Sequence, residues 1–286
     1  DELLATDVST TNWERLEPTK PLYYFVPIDT TNSEEFTNYY PVDFVFGTGN
    51  PKSDRNQKYA TGFATQQDTF AIAFDKNDLY KNLTDFVDLT NSEADLRDRY
   101  KLCSTNQWNF ARARANLSES NWEQDLLECL YRPIDFRTTL YTSDVVSIPR
   151  LEVMHHLIGE NGRNNLALVC CKTINDQEAH HFLVANRPVE KIAMSSKTSS
   201  SAFVFPLYLY PSDDDLFKDR VVNLNPAFAS LLANKLNLKY QDEKRGDLRN
   251  TIGPEDIFYY IYSIFYSSKY REKYNDLLKR NFPRIP

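Results

Sequence analysis

The hydrophobic period of this chain changes once, near residue 126, and that change limits the fold more than any single motif. From Lys76 to Asp125 apolar residues recur at helical spacing, as in DLYKNLTDFVDL, where they fall at 79, 83, 86, 87 and 89. SEADLRDRYKL follows, with Ser92 placed to cap and acids in the first turn. WNFARARANLSESNWEQDL then predicts a third helix, whose Arg112 and Arg114 read as a solvated face or as secondary phosphate contacts. From Leu127 the runs become short and strand-like: LLECLYRPIDFRTTLYT, NNLALVCCKT, HHFLVANR, KIAMSS and SAFVFPLYLYP. Among them IPRLEVMHHLIGENG reads as one helix, with Arg150 near its start and Gly159 or Gly162 to stop it. Later, NPAFASLLANKLNLKY and the 255–266 and 268–280 segments are helical again, the first opened by Asn225-Pro226 and the second by Pro254.

This order predicts an α+β chain: a mixed or antiparallel central sheet with flanking helices and a helical C-terminal subdomain. Three parts are expected. Residues 1–125 hold a proline-interrupted connector (Pro18, Pro21, Pro27), strands at 42–46 and 69–74 around a polar loop with Lys52, Arg55 and Lys58, and the helices. Residues 126–211 form the sheet-rich part. Residues 212–286 follow a hydrophilic break, SDDDLFKD, and end in an extended FPRIP.

The net charge of −7 is unevenly spread. Residues 1–131 carry 12 basic against 22 acidic residues, 132–200 carry 8 against 7 with all four histidines, and 201–286 carry 13 against 11. An acidic total therefore leaves room for a local patch that meets nucleic acid, although non-specific affinity would be weak. Only seven glycines occur, against a phosphate-cradling nucleotide fold. No run approaches the roughly 20 apolar residues of a membrane helix. Cys103, Cys129, Cys170 and Cys171 form no disulfide pattern, as for buried thiols in a reducing cytoplasm.

Catalytic chemistry finds little support. The pairs His155-His156, His180-His181 and Cys170-Cys171 invite a zinc reading, but neighbours on a strand face opposite ways and no ligand spacing recurs, so no metal is expected. No nucleophile elbow is present. Asp213 with Asp242, Glu243 and Lys244 makes a poor nuclease set, in loops without a flanking strand. The two Asn-Pro steps continue as NPK and NPA, unlike the N/D-P-P-Y/F motif of amino-methylating DNA enzymes. The chain is not expected to be an enzyme by itself.

CLYRPIDFRTTLYT (129–142), PRLEVMHHLIGENGRNNLALV, SSSAFVFPLYLYP and PEDIFYYIYSIFYSSKYREKYNDLLKRNFPRIP, in that order, resemble the C-terminal region of type ISP restriction–modification enzymes and related large adenine-specific DNA methyltransferases. Ile134 stands where relatives carry Phe, Ile148 where they carry Arg, and Gln66-Gln67 where they carry a polar-basic pair. The resemblance implies a target recognition domain that binds double-stranded DNA in the bacterial cytoplasm and reads a short asymmetric site. It implies an upstream methyltransferase domain on the same polypeptide, where S-adenosylmethionine would bind, and no cofactor in this chain. It also makes this chain look like a domain cut from a longer protein.

Polar connections between the central strands supply the candidate DNA contacts: Lys172, Thr173, Asn175, Gln177 and His180, then Ser195, Lys197 and Thr198 within SSKTSSS. Arginine and lysine suit phosphates and guanine, asparagine and glutamine suit adenine. Arg137, Arg150 and Arg163 complete the set. In CLYRPIDFRTTLYT, Pro133 predicts a break that lets Arg132 and Asp135 pair locally, leaving Arg137 for DNA. Two other functions stay open: a docking module that joins parts of a large enzyme without reading DNA, and a hydrolase with no visible site.

Overall fold

The computed structural model describes residues 5–18, 23, 25, 29–160, 164–195, 197, 198, 200–211 and 219–286. Its centre is a four-stranded antiparallel sheet in the order Ala60–Thr61, Ala202–Pro206, Ala167–Cys171, Phe182–Ala185. Every residue of the Ala167–Cys171 and Ala202–Pro206 strands is buried, which explains why both read as unbroken apolar runs instead of alternating ones. The aromatic helix Pro254–Tyr266 covers this sheet with Ile257, Phe258, Ile261 and Phe265, and the Phe265 ring lies 5.1 Å from that of Phe182. Pro254 fits the first helical turn, and Asp256 accepts the Gly253 and Gly246 amides there. The FPRIP tail is extended as expected. Arg284–Ile285 pairs antiparallel with Tyr40–Pro41, and the Arg284 guanidinium donates to the Thr37 and Tyr39 carbonyls.

A second sheet holds the hairpin Leu126–Arg132 and Asp135–Leu140, with Ile72–Ala73 beside the latter strand. Against it packs a separate core built by the three helices read from the sequence. Lys76–Val87 is capped by Asp75 and buries Leu79, Leu83 and Phe86; Glu93–Tyr100 is capped by Ser92; Phe110–Glu119 is capped by Asn109 and buries Phe110, Ala113 and Leu117. Arg114 is not on a solvated face. It donates to the Phe86, Asp88 and Asn91 carbonyls, the acceptors left over where the first of these helices ends. Arg112 approaches Asp144 at 3.8 Å.

Four local expectations differ from the structure. Residues 42–46 form a helical turn, Val42–Val45, because Val42, Val45 and Phe46 are the positions buried and their spacing is that of a helix. Of 69–74, only Ile72–Ala73 is strand, preceded by the turn Asp68–Ala71. IPRLEVMHHLIGENG gives a short helix, Leu151–Met154, and one 3₁₀ turn, His155–Leu157, closed by an extended Ile158. KIAMSS turns instead of extending, because the Glu190 carboxylate and carbonyl draw back the Ile192 and Ala193 amides. The hydrophilic break is described only at Asp219, since 212–218 lie outside the described residues. Strand pairing crosses both expected part boundaries, through Ile72–Ala73 on Asp135–Leu140 and Tyr40–Pro41 on Arg284–Ile285. Among the described residues no helix is long and apolar enough to cross a membrane.

Candidate nucleic-acid interface

Antiparallel pairing brings two distant connections together. Cys171 faces Ala202 and Cys170 faces both Phe182 and Phe203, so the end of one strand and the starts of two others share one end of the central sheet. The 172–181 connection and the 191–201 connection both leave from that end. Lys172, Thr173, Asn175, Gln177, His180, Ser195, Lys197 and Thr198 are thus gathered there, with Lys191 between them. Lys191 was missed because KIAMSS read as a strand; its amide bonds the Phe63 carbonyl and its own carbonyl accepts from Ala202.

The first connection is anchored. Ile174, Ala179 and His181 are buried, while Lys172, Thr173, Asn175, Gln177 and His180 are exposed. The C-terminal helices hold its backbone: Ile174 donates to the Lys279 carbonyl, Ala179 to Asn275 Oδ1 at 2.9 Å, and Lys279 Nζ to the Gln177 carbonyl at 3.0 Å. The Lys172 ammonium stands 5.3 Å from the Phe282 ring centre. A backbone already anchored spares binding the cost of ordering the loop, leaving only the side-chain rotamers to be fixed.

Hydroxyls join the second connection to the first. Ser200, 3% exposed, accepts the Asn175 amide at 3.4 Å and lies 3.1 Å from the Thr198 hydroxyl, which lies 2.8 Å from Ser195 Oγ. Thr198 is therefore spent on internal bonds and acts as a brace. The side chains of Lys172, Thr173, Asn175, Gln177 and Lys197 have no hydrogen-bond partner among the described residues and face outward. Two amides that can read base edges thus stand beside cations that can neutralise phosphate. Ser196 and Ser199 lie outside the described residues, as does Arg163.

The other arginines are placed differently. Arg137 does not stand free: its guanidinium binds both Asp135 oxygens at 2.8–3.1 Å and sits 3.6 Å from the Phe74 ring centre. That contact holds the Asp135 carboxyl below the usual carboxylate range. The expected local Arg132–Asp135 pair is absent, although the two residues face each other in register. Arg132 instead reaches across to Glu190 at 2.7 Å and lies over the Tyr131 ring at 3.8 Å. A long-range partner made by folding outcompetes the neighbour, which no local pattern could signal. Arg150 has left-handed backbone at the start of Leu151–Met154, and its Nε is buried without a hydrogen-bond partner among the described residues. Gln67, which stands where relatives carry part of a polar-basic pair, is 2% exposed and holds the Val145 carbonyl and Cys103 amide.

The two histidine pairs also diverge. His155 contacts the Leu151 and Tyr210 carbonyls through its two ring nitrogens, and His156 Nδ1 accepts the Tyr210 amide at 3.0 Å. Burial pushes His156 down to about 3, so it stays neutral as that acceptor. Neither ring of His180 or His181 has a hydrogen bond among the described residues.

Comparison with known proteins places this arrangement. The model of the Type ISP C-terminal specificity domain matches residues 57–286. No curated protein matches the chain. Among solved structures, a cryoEM DrdV–DNA complex superimposes with a TM-score of 0.67 at 18% identity, over 99% of this chain and 27% of that one. A nuclease-deletion mutant of the Type ISP restriction–modification enzyme LlaGI, in complex with a DNA substrate mimic, gives 0.58 at 15% identity, over 98% and 20%. The ATP-dependent Type ISP enzyme LlaBIII bound to DNA gives 0.57 at 19% identity, over 85% and 15%. This chain therefore spans about a quarter or less of the length of each of these solved chains, and at such identities the likeness is one of fold. The family match covers most of the sequence, and the chain belongs to the Type ISP C-terminal specificity domain family.

Proposed function

We propose that this chain reads a short DNA sequence through the two connections at one end of its central sheet, as the specificity part of a restriction–modification enzyme. The observation that carries the reading is their convergence: Asn175 and Gln177, unpartnered and on an anchored backbone, stand with Lys172 and Lys197 around them. The three solved structures named above each contain DNA or a DNA mimic, which supports DNA as the partner. Lys172 and Lys197 neutralise phosphates, and Asn175 and Gln177 address base edges. His180, exposed on the same connection, is a further candidate for this face, and Arg163 lies outside the described residues.

In this reading the chemistry lies elsewhere on a longer polypeptide. A methyltransferase segment with S-adenosylmethionine modifies an adenine of an asymmetric site, and this domain sets where it does so. We assign no catalytic residue to the chain. Selection of duplexes from a randomised library by the intact protein tests the proposal. A single enriched motif is expected; retention of all duplexes alike would refute it.

A docking role has one observation in its favour. On the second sheet Phe74, Ile134 in the hairpin turn and Phe136 are 73, 81 and 45% exposed, while the arginines beside them are matched by carboxylates: Arg132 by Glu190, Arg137 by Asp135, Arg187 by Glu128. An apolar, charge-balanced surface suits protein better than phosphate. It is a second face, distinct from the sheet end, and both roles can coexist. Changing Ile134 and Phe74 to Ser should weaken attachment of the neighbouring domain and leave the enriched motif intact.

A further inference from the structure

Asp176, His180 and His181 each offer a ligand atom, and these atoms lie within 4.8 Å of one another. The sequence argument against a metal assumed that adjacent histidines sit on a strand and point apart. Here both precede the strand Phe182–Ala185, and their rings stack at 4.6 Å with 24° between planes. A second, independent observation concerns His181. It is 2% exposed, yet its Nδ1 is buried with no hydrogen-bond partner among the described residues. Burying a ring nitrogen with nothing to bond costs on the order of 1–3 kcal/mol, and such an atom calls for an explanation. The contrast with His155 and His156, whose rings are bonded to protein groups, shows that this fold can satisfy a histidine pair when the pair is purely structural.

We infer that Asp176, His180 and His181 form a binding site for a divalent metal ion of borderline softness, zinc foremost. Two imidazoles and one carboxylate are a common zinc donor set, with water taking the fourth position. Ligand atoms in a tetrahedral zinc site stand about 3.3 Å apart, from bonds of about 2.0–2.1 Å. The cluster reaches that spacing by side-chain rotation of His180, which is exposed, and Asp176, which is half-buried. Asp176 keeps one oxygen on the Gln177 amide at 2.7 Å, the kind of outer bond that orients a ligating carboxylate, and has the other to give. The ion would tie the middle of the 172–181 connection to the start of the next strand, stiffening the backbone that presents Asn175 and Gln177.

The test uses a tag-free chain stripped with chelator and titrated with zinc by calorimetry, or with cobalt by visible absorption, without DNA. One ion per chain is expected, with slowed hydrogen exchange at 177–181. Asp176→Asn and His180→Ala change accessible groups and should leave the circular dichroism unchanged. Each should lower the affinity by at least the about 10–100-fold that even an outer-shell partner commands. His181→Gln should do the same. No binding by the stripped chain, or binding unchanged in Asp176→Asn and His180→Ala, would overturn the site.

Discussion

Replacing Arg132 with methionine isolates the buried ion pair that ties the strand Leu126–Arg132 to Glu190, beyond the end of the strand Phe182–Ala185. The Arg132 and Glu190 side chains are 18 and 6% exposed and meet at 2.7 Å. Methionine keeps the stem over Tyr131 but leaves the Glu190 carboxylate with the Ile192 amide as its remaining close donor. Stranding one partner of a buried pair costs about 3–5 kcal/mol, and loss of the ring contact adds about 0.5–1 kcal/mol. Residual exposure of Arg132 favours the lower end, about 3–4 kcal/mol in all. The pH dependence follows from the direction of the shift. Burial already pushes the Glu190 carboxyl above its usual range, with the Ile192 amide and Arg132 pulling it back. A carboxyl raised in the folded state holds its proton longer than in the unfolded chain, so its contribution is most favourable below the unfolded value and is lost as pH rises through the folded one. Without Arg132 that window extends upward, and the variant's deficit should be larger at pH 7.5 than at pH 5. Urea unfolding followed by fluorescence of the buried Trp108 and Trp122 measures both, and adding Glu190→Gln should return most of the loss. A deficit under about 1 kcal/mol, or one equal at the two pH values, would refute an unpaired buried carboxylate as its cause.

Three further outcomes are expected. Arg114→Ala should cost about 1.5–3 kcal/mol in the same assay, because three carbonyls lose a charged donor. Gly62→Ala should lower the melting temperature through an overpacking cost of about 1–3 kcal/mol, since a Cβ there would stand 2.5 Å from the Val189 carbonyl oxygen. Lys172→Gln and Lys197→Gln should weaken binding on all duplexes alike, each reducing the slope of log affinity against log salt by about 0.9.

The helices and the buried strands were legible because each carries its own signal. Ser92 caps where the sequence placed it, Asp75 and Asn109 cap the other two helices, and Ala167–Cys171 is apolar throughout. The central candidates came from polar residues between strands, and the topology puts them at one end of the sheet. What stayed hidden was set by distant partners. Val42–Val45 looks like a strand until burial selects a helical spacing, and Arg132 finds Glu190, 58 residues away, instead of Asp135. Arg137, left for DNA by the Pro133 break, is held between Asp135 and Phe74. The hands that anchor the reading connection, Asn275 and Lys279, lie about a hundred residues downstream of it and have no local signature.

The most direct test changes Asn175 and Gln177 to alanine, singly, in the intact protein and repeats the duplex selection, with Arg187→Gln at the other sheet as control. The account predicts that each alanine variant tolerates any base at one position of the motif, with a loss of about 1–3 kcal/mol on the original duplex, while Arg187→Gln keeps the motif unchanged. An unchanged motif in both alanine variants would contradict the assignment of this sheet end to DNA reading.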